Sequence, residues 1–396
     1  MKIKTRIAFV ANDLVIGGVS KVLISLCNTL DAARYDVHLI LLSDKTEMEN
    51  ILPLNTSVKR HLFNYEFLED FTLKSYLKVA FIKQHNIKRA SFIVHKILNL
   101  RLDILHFHTL PRQLFIGQLV KAEQPSLQLV FTDHLVRLSE SNFNWYQKKL
   151  LEVAHRKFYK NYHIISVSDT VFQSVKKQKR NDRNYKLMLL ENSINLPDYT
   201  RDKAFTNFVT NQFIYVSRMN HHKGQSTLID AWIKLKNPQK GKLILVGPDE
   251  SNGKFQEMAK GDPTIVFTGG TANVKEFIND SNFAVFPSQK EGLPIALLEK
   301  MAYELPIICS DIPELTSIIS NNIEGVHFQL DNTDDLVSKL NFAIENKEIM
   351  IQMGKNARRK VEHICASNNP IQFHNKFYSQ LHKNKYFIFN DKGTKK

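Results

Sequence analysis

Short runs of β-branched and aromatic residues alternate with longer helical stretches, and they do so twice along this chain. No other feature limits the fold as strongly. In the first half the runs fall at Arg6–Val10, Val37–Leu42, Asp103–His108, Gln128–Thr132 and His163–Val167, with helical stretches such as Ser20–Leu30 and Ser75–Leu100 between them. In the second half they fall at Gln212–Ser217, Lys242–Val246, Ile265–Thr268, Phe283–Pro287 and Pro306–Cys309. The runs are continuously apolar, which suits parallel strands covered on both faces. Two such sets predict an α/β chain of two doubly wound domains, and 396 residues exceed what one core normally holds. The boundary is expected within ENSINLPDYT (Glu191–Thr200), a polar, proline-containing stretch, giving domains 1–192 and 193–371. A last helix over Pro370–His382, with Phe373, Phe377 and Tyr378, is expected to cross the junction, so that 372–396 packs back on the first domain.

The three cysteines, Cys27, Cys309 and Cys365, are too few and too scattered for a disulfide framework or a zinc site, and fit a reducing cytoplasm. The apolar stretch Ile7–Ala11 is too short for a signal peptide, and no run of about 18 apolar residues suggests a membrane span. The net charge of +15 is uneven. Residues 1–192 carry 29 Lys and Arg against 17 Asp and Glu, a net of +12; the remainder carries 25 against 22, a net of +3. A one-sided basic half faces something acidic, unless the protein is simply basic. No nucleic-acid-binding motif accompanies the charge. Lys74, Lys78, Lys83, Lys88, Arg89 and Lys96 lie in one helical region among Leu77, Phe81, Ile87, Val94 and Leu98. Lys148, Lys149, Arg156, Lys157 and Lys160 follow Trp145 and Tyr146, and a third basic group runs from Lys176 to Lys186. Basic amphipathic surface with aromatics suits an anionic membrane face; the alternative is an apolar stripe that packs on the sheet.

Three stretches carry chemistry. In FPSQKEGLPIALLEKMA (Phe286–Ala302) a strand ends, a polar turn follows, and Gly292, Leu293 and Pro294 open a helix whose N-terminus suits a pyrophosphate. Glu291 in the turn and Glu299 in the helix can face a cleft at the carboxyl ends of the strands. There Glu299 would accept hydrogen bonds from ribose hydroxyls and Glu291 would meet a sugar. The alternatives are a capping Glu291 and a solvated Glu299. In YVSRMNHHKGQSTLIDAW (Tyr215–Trp232), Arg218 and Lys223 flank a strand–helix loop and could converge on one anionic group without a metal, if they are not merely solvated. In VANDLVIGGVSKVLISL, Gly17 and Gly18 would let backbone approach a phosphate or a sugar, or form a plain turn. His106 and His108 share one strand face, but no third metal ligand is evident beside them. His134 follows a strand directly and could orient donor or acceptor groups, or simply cap it. No Asp-x-Asp triplet is present.

Taken in order, GGVSKVL, DILHFHT, FTDH, ISVSDTV, ENSIN, YVSRMNHHKG, LVGPD, FTGG, FPSQKEGLPIALLEKMA and SDIPEL resemble the retaining glycosyltransferases of family 4 over nearly the whole chain. The linker departs from the family in having Asn192–Ser193 in place of Asn-Gly. The resemblance implies the GT-B fold: two Rossmann-like domains, acceptor side first, with a nucleotide-sugar donor in the cleft between them. It implies Arg218 and Lys223 on the donor diphosphate, Glu291 on the sugar, Glu299 on the ribose and His134 near the sugar. It also places Gly17, Gly18, Gly247, Gly292, Leu293 and Pro294 in donor binding. The expected activity is metal-independent, retaining transfer of a hexose-type sugar to a carbohydrate or lipid-linked acceptor, without a cofactor. The expected setting is bacterial surface polysaccharide synthesis, in the cytoplasm or peripherally at the inner face of the cell membrane. Two rivals are a nucleotide-sugar epimerase or hydrolase of the same fold, and a non-catalytic sugar- or lipid-binding subunit.

Overall fold

Thirteen strands are described, all in parallel pairings, and they form two separate sheets. The computed structural model describes residues 4–65, 77, 79–80, 83–134, 144–178, 185–198, 211–271 and 273–382. The first sheet holds β1 (Thr5–Ala11), β2 (Tyr35–Leu41), β3 (Lys59–Leu62), β4 (Ile104–His108), β5 (Gln128–Asp133), β6 (Tyr162–Ser166) and β7 (Leu187–Leu189), in the order β3-β2-β1-β4-β5-β6-β7. The second holds β8 (Gln212–Val216), β9 (Lys242–Val246), β10 (Ile265–Gly269), β11 (Phe283–Phe286), β12 (Ile307–Ser310) and β13 (Gly325–Phe328), in the order β10-β9-β8-β11-β12-β13.

The continuous apolar runs are explained by where successive side chains go. Along β1, Ala8 and Val10 join a core on one face of the sheet, while Ile7, Phe9 and Ala11 join a second core on the other. A strand covered on both faces has no polar side to alternate with. Pairing Ala8 with His38 of β2 and with Leu105 of β4 fixes the register in the middle of the sheet.

In each sheet the chain reverses its direction of strand addition once, between β1 and β4 and between β8 and β11. Ligands of doubly wound folds bind beyond the carboxyl ends of the strands at such points. Three strands have no counterpart in the apolar runs: β3, β7 and β13, each at a sheet edge. The sequence KRHL of β3 carries charges that protect an edge from further pairing and erase its hydrophobic signature.

The helix Pro370–His382 returns to the first sheet, as its aromatics predict. Phe377 and Tyr378 are buried in the core that contains Phe9 and Leu39, and the Tyr35 hydroxyl donates to the Asn375 carbonyl at 3.1 Å. The basic tail beyond it lies outside the described residues, as do Lys74, Lys78, Phe81 and, of the third basic group, Lys179, Arg180 and Arg183. For the helix Lys83–Asn99 the packing alternative holds for the apolar stripe. Ile93 and Ile97 are buried, and Leu77, Val94 and Leu98 pack against the same core, so the apolar stripe covers the sheet.

Candidate active site

Lys223 and Glu291 meet at the β8/β11 switch point. The lysine Nζ lies 2.7 Å from Glu291 Oε1, and the Ser288 hydroxyl donates to the same oxygen at 2.7 Å. Behind them, Tyr215 OH donates to the Lys223 carbonyl and lies 2.8 Å from Ser288 Oγ. The Ser310 hydroxyl of β12 holds the Ser288 carbonyl at 2.6 Å. Three adjacent strands thus fix one carboxylate, and Glu291 is buried. Gly224 makes the approach possible. Its φ is 71°, and a Cβ there would lie 1.9 Å from the Pro287 carbonyl oxygen.

Arg218 does not share the partner of Lys223. Its Nη1 contacts Glu250 Oε1 at 2.9 Å, and Asn220 Nδ2 donates to the other Glu250 oxygen. The two cations expected to act on one anion are each matched to a separate carboxylate. Glu250 was not singled out in the sequence because it follows β9 in a turn with no motif of its own. Gly247, at φ 143°, lets that turn pack on β8, since a Cβ would lie 1.9 Å from the Ser217 carbonyl oxygen.

Residues of the first domain reach the same place. Gly18 lies against Ile295, where a Cβ would stand 3.6 Å from that side chain; Gly17, at φ 171°, is ordinary extended backbone. Gly292 packs so closely on the first domain that a Cβ would lie 2.0 Å from the His134 carbonyl oxygen. The Leu293 carbonyl accepts from Asn192 Nδ2 at 2.8 Å, so the linker is tied to the donor loop. Pro294 forms the N-cap of the helix Ile295–Ala302 in an extended conformation. Gly18, His134, Gly292, Leu293, Pro294 and Glu291 therefore gather at one junction.

His134 Nε2 lies 3.1 Å from His108 Nδ1. His108 Nε2 is buried without a partner, and burial holds this ring well below the usual histidine pKa. An orphaned N–H costs more than an orphaned lone pair. The neutral His108 therefore carries its proton on Nδ1 and donates to His134 Nε2. His106 spends its two nitrogens on Tyr378 OH at 2.6 Å and Thr132 Oγ1 at 2.8 Å. The shared strand face of His106 and His108 thus serves packing and positioning.

Glu299, in the helix Ile295–Ala302, forms an ion pair through Oε1 with Lys21 of the helix Gly18–Thr29 in the first domain. Its Oε2 lies 3.7 Å from Lys300 Nζ. Burial pushes the Glu299 carboxyl up, but the Lys300 and Lys21 ammoniums outweigh it and hold the group below the ordinary glutamate value. Neither lysine was assigned a role from the sequence.

Two family models match successive parts of the chain: Glycosyltransferase Family 4 over residues 16–195, and Glycosyl transferases group 1 over residues 200–360. The chain is a family 4, group 1 glycosyltransferase. This glycosyltransferase is 24% identical over 368 residues to an uncharacterized glycosyltransferase of Haemophilus influenzae, covering 88% of this chain and 93% of the relative. It is 26% identical over 176 residues to the N,N'-diacetylbacillosaminyl-diphospho-undecaprenol alpha-1,3-N-acetylgalactosaminyltransferase of Campylobacter jejuni, covering 43% of this chain and 45% of that enzyme. Among solved structures, Anabaena HepE in complex with UDP and glucose superposes with a TM-score of 0.73 at 16% identity, covering 96% of this chain and 100% of HepE. The glycosyltransferase has the GT-B fold.

Proposed function

We propose that this glycosyltransferase moves a hexose-type sugar, with retention and without a metal, from a nucleotide sugar to a carbohydrate or lipid-linked acceptor in bacterial surface polysaccharide synthesis. The observation that carries the reading is the fixed Lys223–Glu291 pair at the β8/β11 switch point, closed over by His134 and Gly292. Lys223 and Arg218 supply cationic charge where a diphosphate leaves, and such preorganised charge lowers the barrier to departure. Glu291 faces the sugar, and Glu299 takes the ribose hydroxyls. Retention follows front-face displacement assisted by the leaving diphosphate. The undecaprenyl diphosphate acceptor in the name of the Campylobacter relative supports the lipid-linked alternative.

The same reading places the first domain on an anionic membrane surface. Trp145 and Tyr146 are exposed at the start of the helix Trp145–Phe158, with Lys149 Nζ 5.1 Å from the Trp145 ring. Phe92 is exposed with Lys96 Nζ at 4.2 Å. Salt-sensitive co-sedimentation with anionic vesicles, and little with neutral ones, is the expected result. Equal binding to both at low salt would remove the membrane from the reading.

The decisive experiment is a thermal-shift screen against nucleoside diphosphates and their sugars, followed by turnover of the stabilising donor in chelator. A raised Tm for one nucleotide and full activity in chelator are expected. Activity abolished by chelator and restored by magnesium or manganese would overturn the metal-free mechanism. Consumption of donor at the same rate without any acceptor would favour an epimerase or hydrolase.

A further inference from the structure

Lys300 is buried completely, and its Nζ has no hydrogen-bond partner. A buried ammonium in that condition is costly, so it calls for a reason. Among the described residues, the carboxylate paired with it is Glu299, at 3.7 Å. Burial lowers the Lys300 pKa to about 8 even though Glu299 pulls it upward. Lys21 differs in every respect. It belongs to the other domain, its side chain is about half exposed, and it sits directly on Glu299 Oε1. Glu299 therefore has one cation it cannot shed and one that can swing into solvent.

We propose that Lys300 is the permanent counter-ion that positions Glu299, and that Lys21 is a displaceable one which competes with the donor nucleotide for the same carboxylate oxygen. This deepens the proposed function and rests on its assignment of Glu299 to the ribose. A ribose that donates two hydroxyls to Glu299 takes the place of Lys21. In doing so it releases the glycine turn at Gly17–Gly18 from the helix Ile295–Ala302. Lys300 then holds the half-buried carboxylate in place once Lys21 has left. Donor binding is thereby coupled to the contact between domains, and the two lysines have opposite effects on affinity.

The test is calorimetric titration with UDP, GDP and ADP of the full-length wild type and of Lys21→Ala, Lys300→Met and Glu299→Ala. Lys21→Ala removes a competitor worth a surface ion pair, so the preferred nucleotide is expected to bind about three- to fivefold more tightly. Lys300→Met, close in volume, is expected to bind about tenfold more weakly, because a carboxylate no longer held in place loses part of its charge-assisted bonding to the ribose. Combined with Glu299→Ala, the same substitution is expected to cost no further affinity, since its effect runs through that carboxylate. A purely structural role for Lys300 would instead weaken binding in both backgrounds, and would overturn its part. If Lys21→Ala weakens binding, Lys21 attracts the diphosphate and the competition is overturned while the donor site stands. If Glu299→Ala binds as the wild type does, the ribose assignment itself fails and the inference falls with it.

Discussion

The Lys223–Glu291 pair shows what one side chain does for both stability and chemistry. Glu291 is buried, so removal of Lys223 strips a desolvated carboxylate of its cation and leaves only Ser288. Arg218 and Glu250 are both largely exposed, and water screens their pair. We expect Lys223→Ala and Arg218→Ala each to lower turnover about a hundredfold, since both supply charge at the leaving group. Their stabilities should part: about 1–3 kcal/mol lost for Lys223→Ala and under about 1 kcal/mol for Arg218→Ala. Steady-state kinetics and urea denaturation of the two variants check this. Equal stability losses, or near-normal turnover, would contradict it. At this scale the sequence reveals the residues but not their partners. Lys223 and Glu291 each stand at the end of a recognisable strand, which is enough to place them near one ligand. That Ser288, Tyr215 and Ser310 support Glu291 depends on strand order, and neighbouring residues carry no mark of it.

Among elements, the central strands were legible because burial on both faces leaves a continuous apolar run. The edge strands β3, β7 and β13 were not. A charged edge such as KRHL, or three residues at Leu187–Leu189, gives pattern reading nothing to detect. The glycine loops were legible as turns, but their cause is tertiary. Gly292 is glycine because the His134 carbonyl of the other domain occupies the place of a side chain. Gly292→Ala should therefore force the donor loop away from His134 rather than strain the loop itself, at about 1–3 kcal/mol. Since the chemistry depends on that approach, turnover should fall more than nucleotide affinity, because Glu299 and the nucleotide end of the site lie on the following helix. A variant with wild-type turnover would show that the two domains do not need this contact.

Across the whole molecule, the last helix ties the end of the chain to its beginning, and the tie is made of neutral histidines. His374 Nδ1–H donates to the Pro370 carbonyl at 2.7 Å, while its Nε2 is buried without a partner. Burial pushes its pKa from 6.5 to about 4. His106, bonded to Tyr378 of the same helix, is held well below 6.5, first by burial and then by His108, His374 and His134. The unfolded chain binds protons at these rings below pH 6.5, whereas the folded chain keeps His374 neutral until about pH 4 and resists protonation of His106 as well. Stability is therefore complete above pH 6.5 and falls as the pH drops toward 4. A shift of this size in His374 alone amounts to about 3 kcal/mol across that window. The acidic loss should concentrate in the first domain and the helix Pro370–His382, because the buried histidines among the described residues (His38, His106, His108, His155, His163 and His374) all lie there. His374→Leu should lose less stability than the wild type between pH 7 and pH 4.5, with the slope reduced by about one proton. Urea midpoints measured across that range decide it. Identical slopes for variant and wild type would mean that His374 takes up its proton without opening the helix.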